Sequence, residues 1–467
     1  MYENIGASIP REFFYNLSKL QGAMSKNVIK VSADRPDGNN PGNIVNFRLP
    51  IGSLLHLQSL SLFWTAKMTG TNPAHPTRYS SSFIKRLSIS MNNVVVQQIE
   101  DYALLYNLLA DHTNKDRTKS IGGDFDDNSV IWTEANPTST TPVAITGQNA
   151  LLAATTNQTV KMKVNNFLGF LGSASTSILP TDKVGEVVIS ITLAQPYEVL
   201  GGSAEAAATS YTDNKFELDN MYLTCEALSF SDDSYYTSIN NKDLMFGFND
   251  YIVTKFAPVS KQTGINVTNY ISANSIDWVA GTAVVAQSSP STMLAYGGES
   301  DGAAANVINM FKYLSDPVAY LNNNTGNSGD GFYGVEALKR DLQGLETSQF
   351  SINNKALNYS AFDIYEVFQS NLCCLGYEGV DASANGWNPA IASIYHYFKY
   401  YGGHFQSLQL INKEEFMLSG LSSAGSSCAI NWVCKFKGNA TYNVTPVIIA
   451  KLSKILHVKQ GRMVFVE

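Results

Sequence analysis

The residue types best suited to catalysis or metal binding are sparse in this chain and poorly spaced for either. Its six histidines are His56, His75, His112, His396, His404 and His457. None sits in an HExxH pair or at zinc-ligand spacing from cysteine. His396 and His404 share the run YHYFKYYGGHF, where imidazoles packed among rings are the simpler reading than a metal or catalytic pair. Gly298–Gly302, GESDG, spells a nucleophile elbow around Ser300. An elbow needs a buried strand before it, and SSPSTMLAYG is a poor one. Gly329–Gly334, GDGFYG, spells GxGxxG, but a polar Asn/Gly run precedes it and no βαβ unit surrounds it. Asn322–Phe332 and Glu336 offer oxygen ligands on a Gly-rich loop, at a spacing unlike an EF-hand. No GxxxxGK[ST] phosphate loop occurs, and no pair of acids is singled out for glycoside hydrolysis. Aromatic runs such as Tyr395–Tyr401 suit packing more than stacking on sugars or bases. The expectation is a non-enzyme with no catalytic, cofactor-binding or metal residue, and no cofactor.

The cysteines Cys225, Cys373, Cys374, Cys428 and Cys434 are odd in number and irregular in spacing, unlike a disulfide framework. Cys428 and Cys434 are expected as core thiols on one face of a strand, in a chain folded under reducing conditions. The opening MYENIGASIPREFFYNL is too polar for a signal peptide, and no apolar run approaches the ~20 residues that span a bilayer; a soluble chain is expected. Sequons such as Asn157 and Asn266 then follow from the Asn/Thr-rich composition.

Only 15% of residues are charged, against a usual ~25%. Asn, Ser, Thr, Gly, 24 Tyr and 23 Phe fill the gap, a composition suited to an exterior that becomes protein contact. The net charge of −7 argues against a chain whose main work is gripping nucleic acid. The ends are locally basic: Arg11, Lys19, Lys26 and Lys30 near the start, and Lys451, Lys454, His457, Lys459 and Arg462 near the finish.

Positioning elements are legible from a motif that occurs twice. Leu87–Leu109, LSISMNNVVVQQIEDYALLYNLL, and Ser348–Leu372, SQFSINNKALNYSAFDIYEVFQSNL, each hold a short alternating run, an Asn-Asn pair, a second run and an aromatic-rich helical stretch. Asn-Asn between alternating runs predicts a tight hairpin. Asp101 and Asp363 near each helix start suit the positive end of the dipole. Elsewhere, short strand-like runs alternate with Gly/Asn turns, including Leu54–Met68, whose phase slip predicts a bulge. Loop-rich excursions cover 113–156 and 275–345, and GGSAEAAATSYT reads as a linker. The fold class expected is all-β: two tandem β-sandwiches with short flanking helices and long inserted loops. The expected division is an arm at 1–25, a first sandwich at 26–200, a linker at 201–212, and a second sandwich at 213–467 carrying the C-terminal strand.

Three stretches in this order resemble double jelly-roll major capsid proteins of double-stranded DNA viruses, in particular those of virophages and polinton-like viruses. SSFIKRLSISMNNVVVQQIEDYALLYNLL is similar to their first-barrel segment. LGFLGSASTSILPTDKVGEVVISITLAQPYEVL is similar to the close of that barrel, and YTDNKFELDNMYLTCEALSFSDDSYY to the entry of the second. The chain is compact for that class. The resemblance implies two eight-stranded jelly rolls and a homotrimeric, pseudo-hexagonal capsomer tiling an icosahedral shell around a double-stranded DNA genome. It also implies lattice contacts between trimers, minor capsid and penton proteins as partners, and a location in the virion after synthesis in the host cytoplasm or nucleus. With it goes the expectation that the basic termini face inward, toward genome or an internal membrane, while the two insertions face outward or clasp neighbours. A tandem β-sandwich lectin or receptor-binding fibre module is the alternative.

Overall fold

The computed structural model describes residues 24–69, 74–76, 80–113, 159–202, 215–230, 243–285, 342, 344–375, 403–409, 418–423, 428–437, 443–459 and 463–466. Sixteen of its strands fall into two sets of eight. The first set is β1 (Met24–Ser32), β2 (Ile44–Arg48), β3 (Leu54–Thr69), β4 (Ile84–Met91), β5 (Val94–Ile99), β6 (Thr159–Val164), β7 (Val187–Leu193) and β8 (Lys215–Phe230). The second is β9 (Leu244–Lys255), β10 (Ile265–Ile271), β11 (Ile276–Val285), β12 (Leu345–Ile352), β13 (Lys355–Ala356), β14 (His404–Ser407), β15 (Cys428–Phe436) and β16 (Asn443–Lys459).

Each set makes two antiparallel sheets, and the order is the same in both. In the first set the sheets run β1-β8-β3-β6 and β2-β7-β4-β5; in the second they run β9-β16-β11-β14 and β10-β15-β12-β13. Adding eight to every strand number turns one set into the other. This interleaving of chain-distant neighbours is the jelly-roll topology, so the expected pair of eight-stranded jelly rolls is what the chain forms. Short strands decorate it: Ile178–Pro180 pairs with β3, and Met463–Val466 with the end of β16.

The duplicated motif occupies the same place in each roll. The turns Asn92-Asn93 and Asn353-Asn354 have φ of 49° and 65°, and of 49° and 64°. Two consecutive left-handed residues define the turn that matches strand twist. Each hairpin leads to a twelve-residue helix, α1 (Tyr102–Thr113) and α2 (Ile364–Leu375). Asp363 caps α2 as expected: its Oδ1 accepts from the backbone N–H of Tyr365 and Glu366 at 2.9 Å, and Glu366 Oε2 accepts from the N–H of Asp363. That is a capping box. Asp101 behaves differently, with φ 48° and its carboxylate turned to lysines.

Strand burial follows the period of two. β7 and β15 bury alternate residues, with Cys428, Ile430, Trp432 and Cys434 pointing into the second roll, so both thiols sit where the sequence places them. β3 carries its predicted irregularity as two register shifts against β8.

Two boundaries differ from expectation. Lys215–Phe230, placed by the sequence at the entry to the second roll, hydrogen-bonds along β1 and β3 and closes a sheet of the first. The Gly/Ala/Ser stretch at 201–212 therefore precedes the last strand of the first roll, and the crossing to the second falls between Phe230 and Leu244. Composition misled because a bland loop between two strands of one roll reads like a loop between rolls. Likewise, the sequence reads as two strands, Ala440–Ala450 and Leu456–Val466, but the structure has one 17-residue strand, β16, followed by Met463–Val466. Lys451 and Lys454 interrupt its apolar run but not its hydrogen bonding. The sequence also reads as helical at Arg11–Lys19 and Asp232–Asn240; both stretches lie outside the described residues.

Candidate functional site: the seam between the jelly rolls

The two rolls meet along a seam where one apolar cluster runs through both. The sheet β9-β16-β11-β14 is buried on both faces. One face supplies Ile276, Val279, Ile448 and Ala450 to the core of the second roll. From the other, Trp278, Ala280, Val447, Ile449 and Phe405 join a cluster that continues through Leu104, Leu105 and Leu108 of α1 into the first roll. This double burial explains why β11 and the PVIIA run of β16 are apolar without alternation. It also explains why residues Tyr102 to Leu109 of α1 are buried all round. Gly403 makes room for the approach: a Cβ there would stand 3.3 Å from the Leu108 methyl.

Lower on the seam, Phe170 sits edge-on to Phe246 and Phe248 of β9, with ring centroids 6.2 and 5.3 Å apart. Around this wedge runs a polar lock. Gln97 of β5 donates from Nε2 to the Asn249 carbonyl at 3.0 Å and to Asp250 Oδ1 at 2.7 Å, while its Oε1 accepts from the Phe170 N–H at 2.6 Å. The N–H of Ser175 donates to the Gly247 carbonyl, and the N–H of Asn249 to Ser173 Oγ, both at 2.8 Å. Asp250 is further held by Lys454 at 2.6 Å. At the upper end Asp101 bridges Lys85 of its own roll, at 2.8 Å, and Lys255 of the other, at 2.7 Å. Burial alone would raise the Asp101 carboxyl; the charges of Lys255 and then Lys85 outweigh it and hold the pKa below the usual carboxylate range. The lysines of these pairs stay part-exposed, which holds each pair to about 1 kcal/mol, whereas a fully buried large apolar side chain contributes roughly 1.5–3 kcal/mol. The apolar wedge therefore holds the rolls together, and the directional bonds fix how they meet.

The order of these contacts gives the relative orientation. From the start of β9 to its end, Gly247 and Asn249 meet the Phe170–Ser175 turn, Asp250 meets Gln97 within β5, and Lys255 meets Asp101 just beyond β5. β5 and β9 thus run in the same direction, and the rolls stand side by side, pointing the same way. Strand direction alternates along each roll. The chain ends flanking 114–158, 286–341 and 376–402 therefore all lie at one end of the molecule. The turns Asn92-Asn93 and Asn353-Asn354, the start of β1 and the Met463–Val466 strand lie at the other.

The chemistry-bearing residues are placed as follows. His404 is fully buried between the rings of Phe350 and Phe362, with Nδ1 2.7 Å from Ser348 Oγ; packing among aromatics was the expected environment. Burial pushes its pKa down to about 3. His56 lies 3.0 Å from Glu226. Burial pushes the Cys225 thiol up to about 11 and the Cys374 thiol up to about 12, where neither is a nucleophile at neutral pH. Ser300, Asn322–Phe332, Gly329–Gly334, Glu336 and His396 lie outside the described residues. Among the described residues no three His, Cys, Asp or Glu side chains group as metal ligands. Two lysines of the basic C-terminal stretch are committed internally, Lys454 to Asp250 and Lys451 to the buried Asp277 at 3.8 Å. Sequence reasoning missed Gln97, Phe170, Asp250 and Lys255, and no local pattern marks them. Asp101 stood out only as a helix-start acid.

Strand order and seam together define the double jelly-roll fold, the fold of the major capsid proteins that the three stretches resemble. No family model and no curated protein matches the sequence. Solved structures do match along nearly the whole chain. The PBCV-1 VP54 structure fitted into a reconstruction of the virophage Sputnik aligns over 97% of this chain and 99% of its own, at TM-score 0.56 and 11% identity. The Sputnik virophage structure aligns over 98% and 92%, at 0.55 and 11%. The Faustovirus major capsid protein aligns over 98% and 94%, at 0.53 and 10%. At such identity the likeness is one of fold.

Proposed function

We propose that this chain is a major capsid protein. It acts as a structural subunit rather than an enzyme, assembling as a homotrimer whose six jelly rolls give a pseudo-hexagonal block in an icosahedral shell around a double-stranded DNA genome. The observation that carries the reading is the repeat of one strand order in two co-oriented rolls fixed side by side. A fused pair of equivalent blocks lets a threefold ring present six similar flanks, and a head-to-tail contact closes into a ring when its rotation permits. Fold likeness to capsid proteins over nearly the full length supports it.

In this reading the end from which the chain leaves into 114–158 and 286–341 faces outward, and the end holding the start of β1 and the Met463–Val466 strand faces inward, toward genome or an internal membrane. Lys459 and the basic residues Arg11, Lys19 and Arg462 are the inward charges; Lys26 is paired with Glu226 and Lys30 lies over the Tyr222 ring. Lys451 and Lys454 are withdrawn from that role by their ion pairs. Trimer–trimer contacts, minor capsid and penton proteins complete the partner set. The virion is the location, after synthesis in the host cytoplasm or nucleus.

Mass photometry with negative-stain class averages tests the reading. Trimers of pseudo-hexagonal outline are expected. Monomeric two-lobed particles that bind glycans would overturn it in favour of a lectin or fibre module.

A further inference from the structure

The end of the block that holds the Asn-Asn turns carries apolar side chains that the fold does not require. Ile51 beside Gly52 in the β2–β3 turn, Val94 and Val95 after the Asn92-Asn93 turn, and Met245 at the start of β9 are 38% to 58% exposed. Strand order gives each a counterpart in the other roll, and none of the counterparts is a large apolar residue. The β10–β11 turn reads Ser-Ala-Asn-Ser, Ser272–Ser275. Lys355 and Ala356 follow the Asn353-Asn354 turn, and Ser25 is the second residue of β1 as Met245 is of β9. Two rolls built alike thus show that these positions fold equally well with serine, lysine and alanine.

The four residues also reach about the same level. Gln97 of β5 meets Asn249 of β9; counting inward along these co-directed strands, Val94 is three residues further and Met245 four, at roughly 3.3 Å per residue. The N–H of Leu49 bonds to the Val187 carbonyl, Val187 pairs with Met91, and Met91 with Val94, so Ile51 stands just beyond that level at the opposite edge of the sheet. In the second roll Tyr270, also exposed, pairs with Ala429, whose carbonyl accepts from the N–H of Asn353. Tyr270 therefore stands level with the second Asn-Asn turn, beside the exposed Lys355.

We propose that this end of the molecule binds a lipid bilayer surface, with Ile51, Val94, Val95 and Met245 entering the headgroup–acyl boundary. Which way that end faces follows from the capsid reading above. Nucleic acid is gripped by cations, and a protein partner by one contiguous buried patch. Aliphatic tips set apart on two rolls fit a bilayer, because apolar burial is non-directional and an interface accepts each side chain separately. Tyr270 supplies the amphipathic ring that favours headgroup depth, and Lys355 a cation for lipid phosphate. Glu186, beside the Asn92-Asn93 turn, is held by Arg48, and Asp182 and Asp243 have partners of their own.

Flotation of the full-length protein with phosphatidylcholine/phosphatidylserine vesicles tests the contact, with mass photometry alongside. Wild type is expected in the lipid fraction. Ile51→Ser/Val94→Ser/Met245→Ser should keep its oligomeric state, because these side chains are exposed, and float about tenfold less. Ile51→Trp gives a reading at one residue: its fluorescence should shift to the blue on vesicles and be quenched by acyl-brominated lipid beyond the quenching seen in wild type. Trimers that stay out of the lipid fraction overturn the contact and leave the capsomer standing, whereas monomers at all concentrations sink both. Flotation that survives the triple substitution and is abolished by salt would show charge alone at work, and overturns the apolar contact. Binding of duplex DNA in place of vesicles, unchanged in the triple variant, assigns the end to nucleic acid and overturns it too.

Discussion

His404 shows how one residue sets an acid limit on the second roll. Ser348 Oγ lies 2.7 Å from its Nδ1, accepts from Trp432 Nε1 at 3.0 Å and from the Cys434 thiol at 3.2 Å, while Nε2 has no hydrogen-bond partner among the described residues. A charged imidazole there would sit among Phe350, Phe362 and Trp432 with no carboxylate to balance it. The folded state therefore keeps it neutral down to about pH 3, whereas the unfolded chain protonates it near 6.5. Below that pH the unfolded state binds more protons, so this contribution to stability is whole above about 6.5 and is lost as pH falls toward 3. The slope approaches about 1.4 kcal/mol per pH unit. Urea unfolding at pH 7.5 and 4.5 should show a loss of roughly 2–3 kcal/mol from this group. His404→Phe should flatten that part of the dependence, at the cost of the Ser348 contact. An identical pH slope in wild type and variant would show that His404 is not the titrating group.

The elements of the seam depend on one tight turn as much as on strands. Gly169 has φ 77°, and a Cβ there would overlap the Gln97 carboxamide that joins β5 to β9. Gly169→Ala must therefore both strain the backbone and displace Gln97, leaving Asp250 short of a donor in a buried site. A loss of roughly 2–4 kcal/mol is expected. Its signature is specific: separate unfolding transitions for the two rolls where wild type shows one, read by calorimetry. A small loss with a single transition retained would mean the apolar wedge alone couples the rolls. The seam also shows what the sequence reveals and what it withholds. Asn92-Asn93 and Asn353-Asn354 were legible because a left-handed turn is a local demand that few residues meet. The alternation of β7 and β15 was legible because one face of each meets a core. Gln97 was not, since its partners lie 73 to 153 residues away and an amide in a strand looks like solvent-facing surface. The membership of β8 was hidden for the same reason: a strand's character is written in its own residues, but its neighbours are not.

At the scale of the whole molecule, the decisive fact is direction. Because β5 and β9 run the same way and strands alternate within each roll, the chain ends flanking 114–158, 286–341 and 376–402 share one end of the block. The start of β1 and the last strand, Met463–Val466, share the other. A tile in a shell has an outside and an inside, and a chain whose three longest insertions leave from one end can lengthen them without disturbing the flanks that touch neighbours. The lysines of β16 add to this division. Lys451 and Lys454 are used to neutralise Asp277 and Asp250 inside the block, so reversing them should unfold the second roll rather than release genome. Reversing Lys459 and Arg462 tests the inward end itself. A short biotin-acceptor tag placed within 114–158 should then be labelled on intact particles by a reagent too large to enter. The same tag after Glu467 should be labelled only once particles are opened. Labelling of the C-terminal tag on closed particles would invert the orientation, and with it the inward role of the basic termini.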